Sequence, residues 1–279
     1  MTGLSYVQGL WLGVLQGLTE FLPVSSSGHL VILQQAFGLK GDAPEMLLFD
    51  IMTHMGTLLA VLVVFGGTFG KFLGALVTEG RLGYRGRHTS WWVLVLAVVA
   101  CVPTAAIGLG FEDRFTRAFN SLYATGVGLL LTGTLLFVSG RFPRPRRGWR
   151  RIGWWRAALV GVAQGAAILP GLSRSGSTIA TAMMLGMKRR WAAQFSFLIV
   201  IPPILGASLI QLRETFDLPP VVLEAMPWGP IMLGSAVSFV VGVGALRILL
   251  RVVIRDKLRY FSLYCWPLGI AILIWAAAR

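Results

Sequence analysis

From Trp91 to Phe111 the chain reads WWVLVLAVVACVPTAAIGLGF, with no charged residue in the run. A helix needs about 20 apolar residues to cross a bilayer core. Inside that core every backbone N–H and C=O must be paired within the segment, so a continuous apolar run of this length reads as a spanning helix. Comparable runs lie at roughly 46–66, 119–139, 191–211, 229–250 and 259–277. Composition agrees, because 56% of the residues are hydrophobic and only 13% are charged. A soluble domain would have about a quarter charged. The predicted fold class is an all-α polytopic membrane protein with about six transmembrane helices.

The formal net charge is +14. In a soluble protein that would suggest nucleic acid as a partner. Here Lys and Arg fall mostly between the apolar runs, where the preference of basic loops for the cytoplasm accounts for them, and no nucleic-acid partner is expected. No Lys or Arg precedes Lys40, whereas a secretory signal peptide begins basic, so none is read here. Cys101 and Cys265 both sit in apolar runs and read as core thiols.

The chain repeats itself. GVLQGLTEFLPVSSSG (Gly13 to Gly28) aligns without a gap on GVAQGAAILPGLSRSG (Gly161 to Gly176). Gly13, Val14, Gln16, Gly17, Ser25, Ser27 and Gly28 recur as Gly161, Val162, Gln164, Gly165, Ser173, Ser175 and Gly176. Each copy breaks at a proline, Pro23 or Pro170, and restarts with Ser-x-Ser-Gly. Three predicted spans follow each copy. If each copy is a re-entrant helix-loop-helix hairpin, three crossings leave the second unit upside down relative to the first. The expected organisation is one membrane domain of two inverted repeats, 1–140 and 150–279, with broken helices meeting near the midplane.

Charge agrees with that topology. Loops at about 67–88, 140–156, 187–191 and 250–259 share one side and hold 18 Lys or Arg. The other side holds Lys40, Arg114, Arg117, Arg213 and Arg279 against seven acids. The basic side is expected in the cytoplasm and both termini outside.

Few ionisable groups lie at membrane depth: Glu20, His29, Asp50, His54 and Arg174, with Arg247 near an interface. A charge there is costly and marks function by default. A broken helix exposes backbone N–H groups where its second half starts, which suits an anion. Ser25, Ser26 and Ser27 begin one half-helix, and Ser173, Ser175, Ser177 and Thr178 surround the other. Gly28 and Gly176 allow close approach of backbone or ligand. Arg174 adds a planar, permanently charged fork suited to phosphate oxygens.

Taken singly, each group has a plainer reading. Serines at a break usually cap helices. Asp50 and His54, one turn apart, read as a structural or supporting pair. Convergence of carboxylate, hydroxyls, imidazole and guanidinium on two related breaks favours phosphate chemistry. Ser26 and His29, spaced i, i+3, can share a helix face as nucleophile and base. Glu20 could orient His29 or hold a divalent cation. Arg174 would stabilise charge on a transferring phosphoryl group.

QGLTEFLPVSSSGH (Gln16 to His29) and PGLSRSGST (Pro170 to Thr178) resemble the undecaprenyl-diphosphatase family of bacteria, also called the bacitracin-resistance protein. FSFLIVIPPILGAS (Phe195 to Ser208) also looks family-like. The resemblance covers nearly the whole chain. It implies hydrolysis of undecaprenyl diphosphate to the monophosphate, which recycles the lipid carrier for cell-wall synthesis. It implies a multi-pass protein of the bacterial plasma membrane, embedded among membrane lipids, with its site open to the outer face. A polyprenyl diphosphate would be its substrate, and the resemblance leaves room for a homodimer. The family's serine, histidine and arginine fall on Ser26, His29 and Arg174, with Ser173 and Thr178 as phosphate contacts. Mg²⁺ or Ca²⁺ dependence is implied, with Glu20 and Gln16 at the family's Glu/Gln-x-x-x-Glu positions. Some members have Glu at the first place, so neutral Gln16 leaves one anionic ligand fewer.

Inverted repeats with broken helices also mark transporters, so the alternative is a transporter or flippase for a phosphorylated lipid or anion. Turnover separates the two, because purified protein in detergent has no two sides.

Overall fold

The computed structural model describes residues 3–81, 89–119, 121–142, 147–148 and 151–278. Among these, six helices or helix pairs are long and apolar enough to cross a membrane: Pro44–Glu79, Thr89–Gly110, Leu122–Ser139, Arg189–Phe216, Trp228–Ile254 and Leu258–Ala277. They match the six runs in the sequence.

The first repeat copy folds as α1 (Tyr6–Phe21) and α2 (Ser26–Ala36). Ser5 starts α1 with a capping box: its hydroxyl accepts from the Gln8 N–H at 3.3 Å, and the Gln8 side chain accepts from the Ser5 N–H at 2.9 Å. Pro23 ends it, since the residue before a proline is pushed out of the helical region; Leu22 is extended, with ψ 141°. Ser25 restarts the helix from a φ of 70°, a backbone region that a residue with a side chain rarely occupies.

Three spans follow, α3 (Pro44–Arg81), α4 (Thr89–Gly110) and, after the short α5 (Glu112–Phe119), α6 (Leu122–Ser139). The second copy folds as α7 (Trp154–Ala166) and α8 (Arg174–Met184). Beyond it lie α9 (Arg189–Ile199), α10 (Ile201–Phe216), the single-turn α11 (Pro220–Glu224), α12 (Trp228–Ile254) and α13 (Ser262–Ala277).

Two features differ from the sequence expectation. Residues 67–81, expected in a loop, continue α3. The span expected at 191–211 is broken at Val200 into α9 and α10. Pro202 and Pro203 follow the break; neither carries a backbone N–H, so neither can donate to the turn before it.

Glycines bring certain helices into backbone contact. A Cβ added to Gly13 of α1 would lie 2.9 Å from the Gly234 Cα of α12. A Cβ on its counterpart Gly161 of α7 would lie 2.8 Å from the Ala100 carbonyl carbon of α4. The first helix of each copy therefore packs against a span from the other half of the chain. Such close approach favours packing and interhelical hydrogen bonds where lipid supplies no hydrophobic drive.

The basic loops gather at one end. The Arg147 N–H donates to the Gly186 carbonyl at 2.8 Å, and the Lys188 N–H donates to the Arg147 carbonyl at 2.9 Å. Arg189 pairs with Asp256. Residues 82–88, 143–146 and 149–150, which complete two of the predicted basic loops, lie outside the described residues.

Candidate active site

The two breaks meet. A Cβ on Gly28 would lie 3.1 Å from the Gly171 Cα, and one on Gly176 would lie 3.1 Å from the Pro23 Cβ. The Ser175 hydroxyl crosses between them and donates to the Phe21 carbonyl at 2.9 Å. Thr132 of α6 steadies the second break: its hydroxyl donates to the Gly171 carbonyl at 2.9 Å and accepts from the Ser173 N–H at 2.9 Å.

Glu20 stands at this junction with its side chain 6% exposed, and Arg174 pairs with it from the first residue of α8. The other Glu20 oxygen accepts from the Ser26 hydroxyl at 2.7 Å and from the Gln16 amide at 3.1 Å. His54 Nε2 stands 3.6 Å from that same oxygen. The His54 Nδ1–H donates to the Asp50 carbonyl at 2.7 Å, which aims the ring at Glu20. A buried carboxylate is stable only with such partners, and removing one leaves an uncompensated charge.

A narrow cleft opens beside the pair. Glu20, Arg174, Ser175 and Ser196 line its polar part. Leu58 and Val61 of α3, with Val200 and Ile204 at the α9–α10 break, line its apolar part. A charged pair open to a cleft in an apolar protein suits an anion carried on an apolar body.

A model of the bacitracin resistance protein BacA family matches residues 9–271. The chain is 42% identical to the undecaprenyl-diphosphatase of Carboxydothermus hydrogenoformans, over 97% of each chain. It is 42% identical to that of Desulfosudis oleivorans, over 98% of this chain and 99% of the relative. The chain belongs to the BacA family.

Within this BacA chain the expected residues divide into groups. Glu20, Ser26 and Arg174 come together. His29 does not join them through its ring nitrogens. Its Nδ1–H donates to the Ser25 carbonyl at 2.7 Å, which leaves Nε2 of the neutral ring to accept from the Tyr264 hydroxyl at 2.7 Å. The two rings stack with a 9° interplanar angle. The anticipated Ser26–His29 contact is therefore replaced by Ser26–Glu20, and Glu20 holds Ser26 rather than His29.

Ser25 and Ser173 act as caps. Their hydroxyls accept from the Gly28 N–H at 3.3 Å and the Gly176 N–H at 3.1 Å. Ser27 lies 3.3 Å from Ser25, hydroxyl to hydroxyl. The Thr178 hydroxyl donates to the Arg174 carbonyl at 2.8 Å and lies 2.5 Å from that of Ser196. Asp50 accepts from the Gln34 amide at 3.0 Å.

Sequence reasoning missed three members. His54 was read as a local partner of Asp50; its one signal was an ionisable side chain at membrane depth. Ser196 lies in the family-like stretch Phe195–Ser208, whose pattern did not single it out. Tyr264, far along the chain in α13, carried no signal at all.

Proposed function

We propose that this chain hydrolyses undecaprenyl diphosphate to undecaprenyl phosphate and inorganic phosphate. The observation that carries the reading is the meeting of Glu20, Ser26 and Arg174, from two separate helix breaks, with Glu20 and Arg174 lining a cleft that has an apolar wall. Family membership and the full-length relatives support the same activity.

In this reading Arg174 leaves Glu20 for the terminal phosphate and fixes it through two parallel N–H donors. The Ser26 oxygen attacks the terminal phosphorus while the bridging P–O bond breaks, so undecaprenyl phosphate departs. The Ser26 proton passes to Glu20, which already accepts its hydrogen bond. Water then cleaves the phosphoserine, releasing inorganic phosphate and restoring the hydroxyl. Charge building on the phosphoryl oxygens is met by Arg174 and by the first N–H groups of α8.

Mg²⁺ or Ca²⁺ belongs to the reading. Among the described residues no three His, Cys, Asp or Glu side chains group to hold an ion. Two hard oxygen donors are present, Glu20 and the buried Gln16 Oε1, which has no hydrogen-bond partner. Mg²⁺ in particular often binds through one or two carboxylates plus substrate phosphates. Glu20 and Gln16 would therefore hold the cation together with the diphosphate, and its chemistry there is to neutralise phosphate charge. Purified protein is expected to release phosphate from a C55 isoprenyl diphosphate, and to lose that release in EDTA. No release under any metal condition would overturn the reading.

The reading places both termini outside, the basic loops in the cytoplasm and the two hairpins re-entrant, in inverted repeats 1–140 and 150–279. Support comes from the division of 18 basic residues against 5. It comes also from the reciprocal packing of α1 on α12 and α7 on α4, which a two-fold relation between halves would produce. A cysteine placed in the Arg141–Arg156 loop is expected to escape an impermeant thiol reagent in intact cells. Labelling there would reverse the orientation.

A further inference from the structure

We propose that the seam between α3 and α10 is the slot through which the substrate's isoprenoid chain leaves the cleft, and that Ile204 is its specificity-determining wall. This rests on the phosphatase reading above. The cleft has both polar and apolar lining residues. Glu20, Arg174 and Ser196 are among the polar ones, and Leu58, Val200 and Ile204 pack together as a separate apolar cluster.

Three neighbouring seams are closed by close packing or hydrogen bonds. α1 meets α12 backbone to backbone at Gly13 and Gly234. α3 is fastened to α12 by the Ser235 hydroxyl donating to the Met52 carbonyl at 2.6 Å and the Ser238 hydroxyl donating to the Thr53 carbonyl at 2.9 Å. α6 is fastened to the second break through Thr132. Parting α3 from α12 or α6 from the second break would give up interhelical hydrogen bonds, and parting α1 from α12 would give up close backbone packing, with no hydrophobic drive from lipid to replace either.

At the cleft the α3–α10 seam is closed by Leu58, Val61, Val200 and Ile204, and an isoprenoid chain replaces their apolar contacts with equivalent ones. The break at Val200 adds freedom, because α10 begins with prolines that cannot donate across it. Leu62, one turn along α3 from Leu58, and Leu205, next to Ile204 on α10, are 41% and 40% exposed. A chain leaving by this seam passes directly into the bilayer. The stretch FSFLIVIPPILGAS thus spans the passage from headgroup to chain: Ser196 at its polar end, the proline break in its middle, Ile204 on the apolar wall.

The test compares phosphate release from C55 and C5 isoprenyl diphosphates by purified wild type and Ile204→Trp. An indole in the slot is expected to lower the C55-to-C5 ratio of kcat/KM by about tenfold or more, mainly through KM for C55. An unchanged ratio overturns the slot while leaving the phosphatase reading intact. Failure of wild type on both substrates overturns the phosphatase reading instead. If Ile204→Trp does not accumulate, a C55 diphosphate bearing a photoreactive group in its first isoprene units decides the matter on wild type. Cross-links on Leu58, Val61 or Ile204 support the slot, and cross-links confined to α6, α12 or α13 overturn it.

Discussion

Arg174→Lys is expected to insert and fold like wild type and to release phosphate about 10²–10³-fold more slowly. Lysine keeps the positive charge, so Glu20 is not left alone in a buried place. Removing the charge outright would be a poor test, since breaking a buried pair costs about 3–5 kcal/mol and would confuse stability with catalysis. What lysine loses is the planar fork. An ammonium meets phosphate as a point charge and cannot match two of its oxygens at once. The loss should fall on kcat, because the fork's second contact is most valuable where charge builds on the transferring group. The measurement is phosphate release by monodisperse protein, with a thermal melt alongside. A wild-type rate would remove Arg174 from the mechanism. A slowed enzyme whose melting temperature has also collapsed would mark it as structural.

Ser26→Ala is expected to cost at least about 10² in kcat, and up to about 10⁶, as loss of a covalent nucleophile can. The informative experiment is the pair of double mutants. Ser26 donates to Glu20, whereas both His29 nitrogens are held elsewhere. Residues that act as a unit are not additive. Glu20→Gln also removes the charge that pairs with Arg174, so the comparison is made at matched thermal stability; there Ser26→Ala with Glu20→Gln should lose less than the sum of the two single effects. Ser26→Ala with His29→Ala should lose the sum of the two single effects. The reverse pattern would make His29 the partner of Ser26 and the Glu20 contact a resting arrangement. A near-normal rate for Ser26→Ala alone would end its role as nucleophile.

Where the chain breaks, and that the breaks carry chemistry, could be read from the sequence because both are local. A proline ends a helix wherever it stands, and Ser-x-Ser-Gly caps the next one with its own hydroxyl. The six spans were legible for the same reason, since apolar length is a property of the segment itself. Contacts between segments were another matter. His54 shows it best. Its spacing from Asp50 pointed to a partner one turn away, and that bond exists, but through the Asp50 backbone. The other nitrogen faces Glu20 because α1 and α3 pack together, which no spacing within either helix encodes. Ser26 and His29 erred in the opposite direction. Their i, i+3 spacing allowed a contact, but tertiary packing gave each a better partner, Glu20 for one and Tyr264 for the other. The break at Val200 had its signal in plain view, Pro202–Pro203, within a run apolar enough to read as one span.

The reciprocal packing of α1 on α12 and of α7 on α4 bears on how the protein is made. Gly13 leaves the ribosome about 220 residues before Gly234, the backbone it must finally press against. At about 5–20 residues per second that is roughly 10–40 seconds. For that interval α1 lacks α12, its resting place, and for about the first 150 residues of it Glu20 also lacks Arg174, its charge partner. α1 must wait, at the membrane surface or against the translocation machinery, until nearly the last span has been threaded. Its docking is then a late event in biogenesis, and a chain truncated before α12 should leave α1 open to protease.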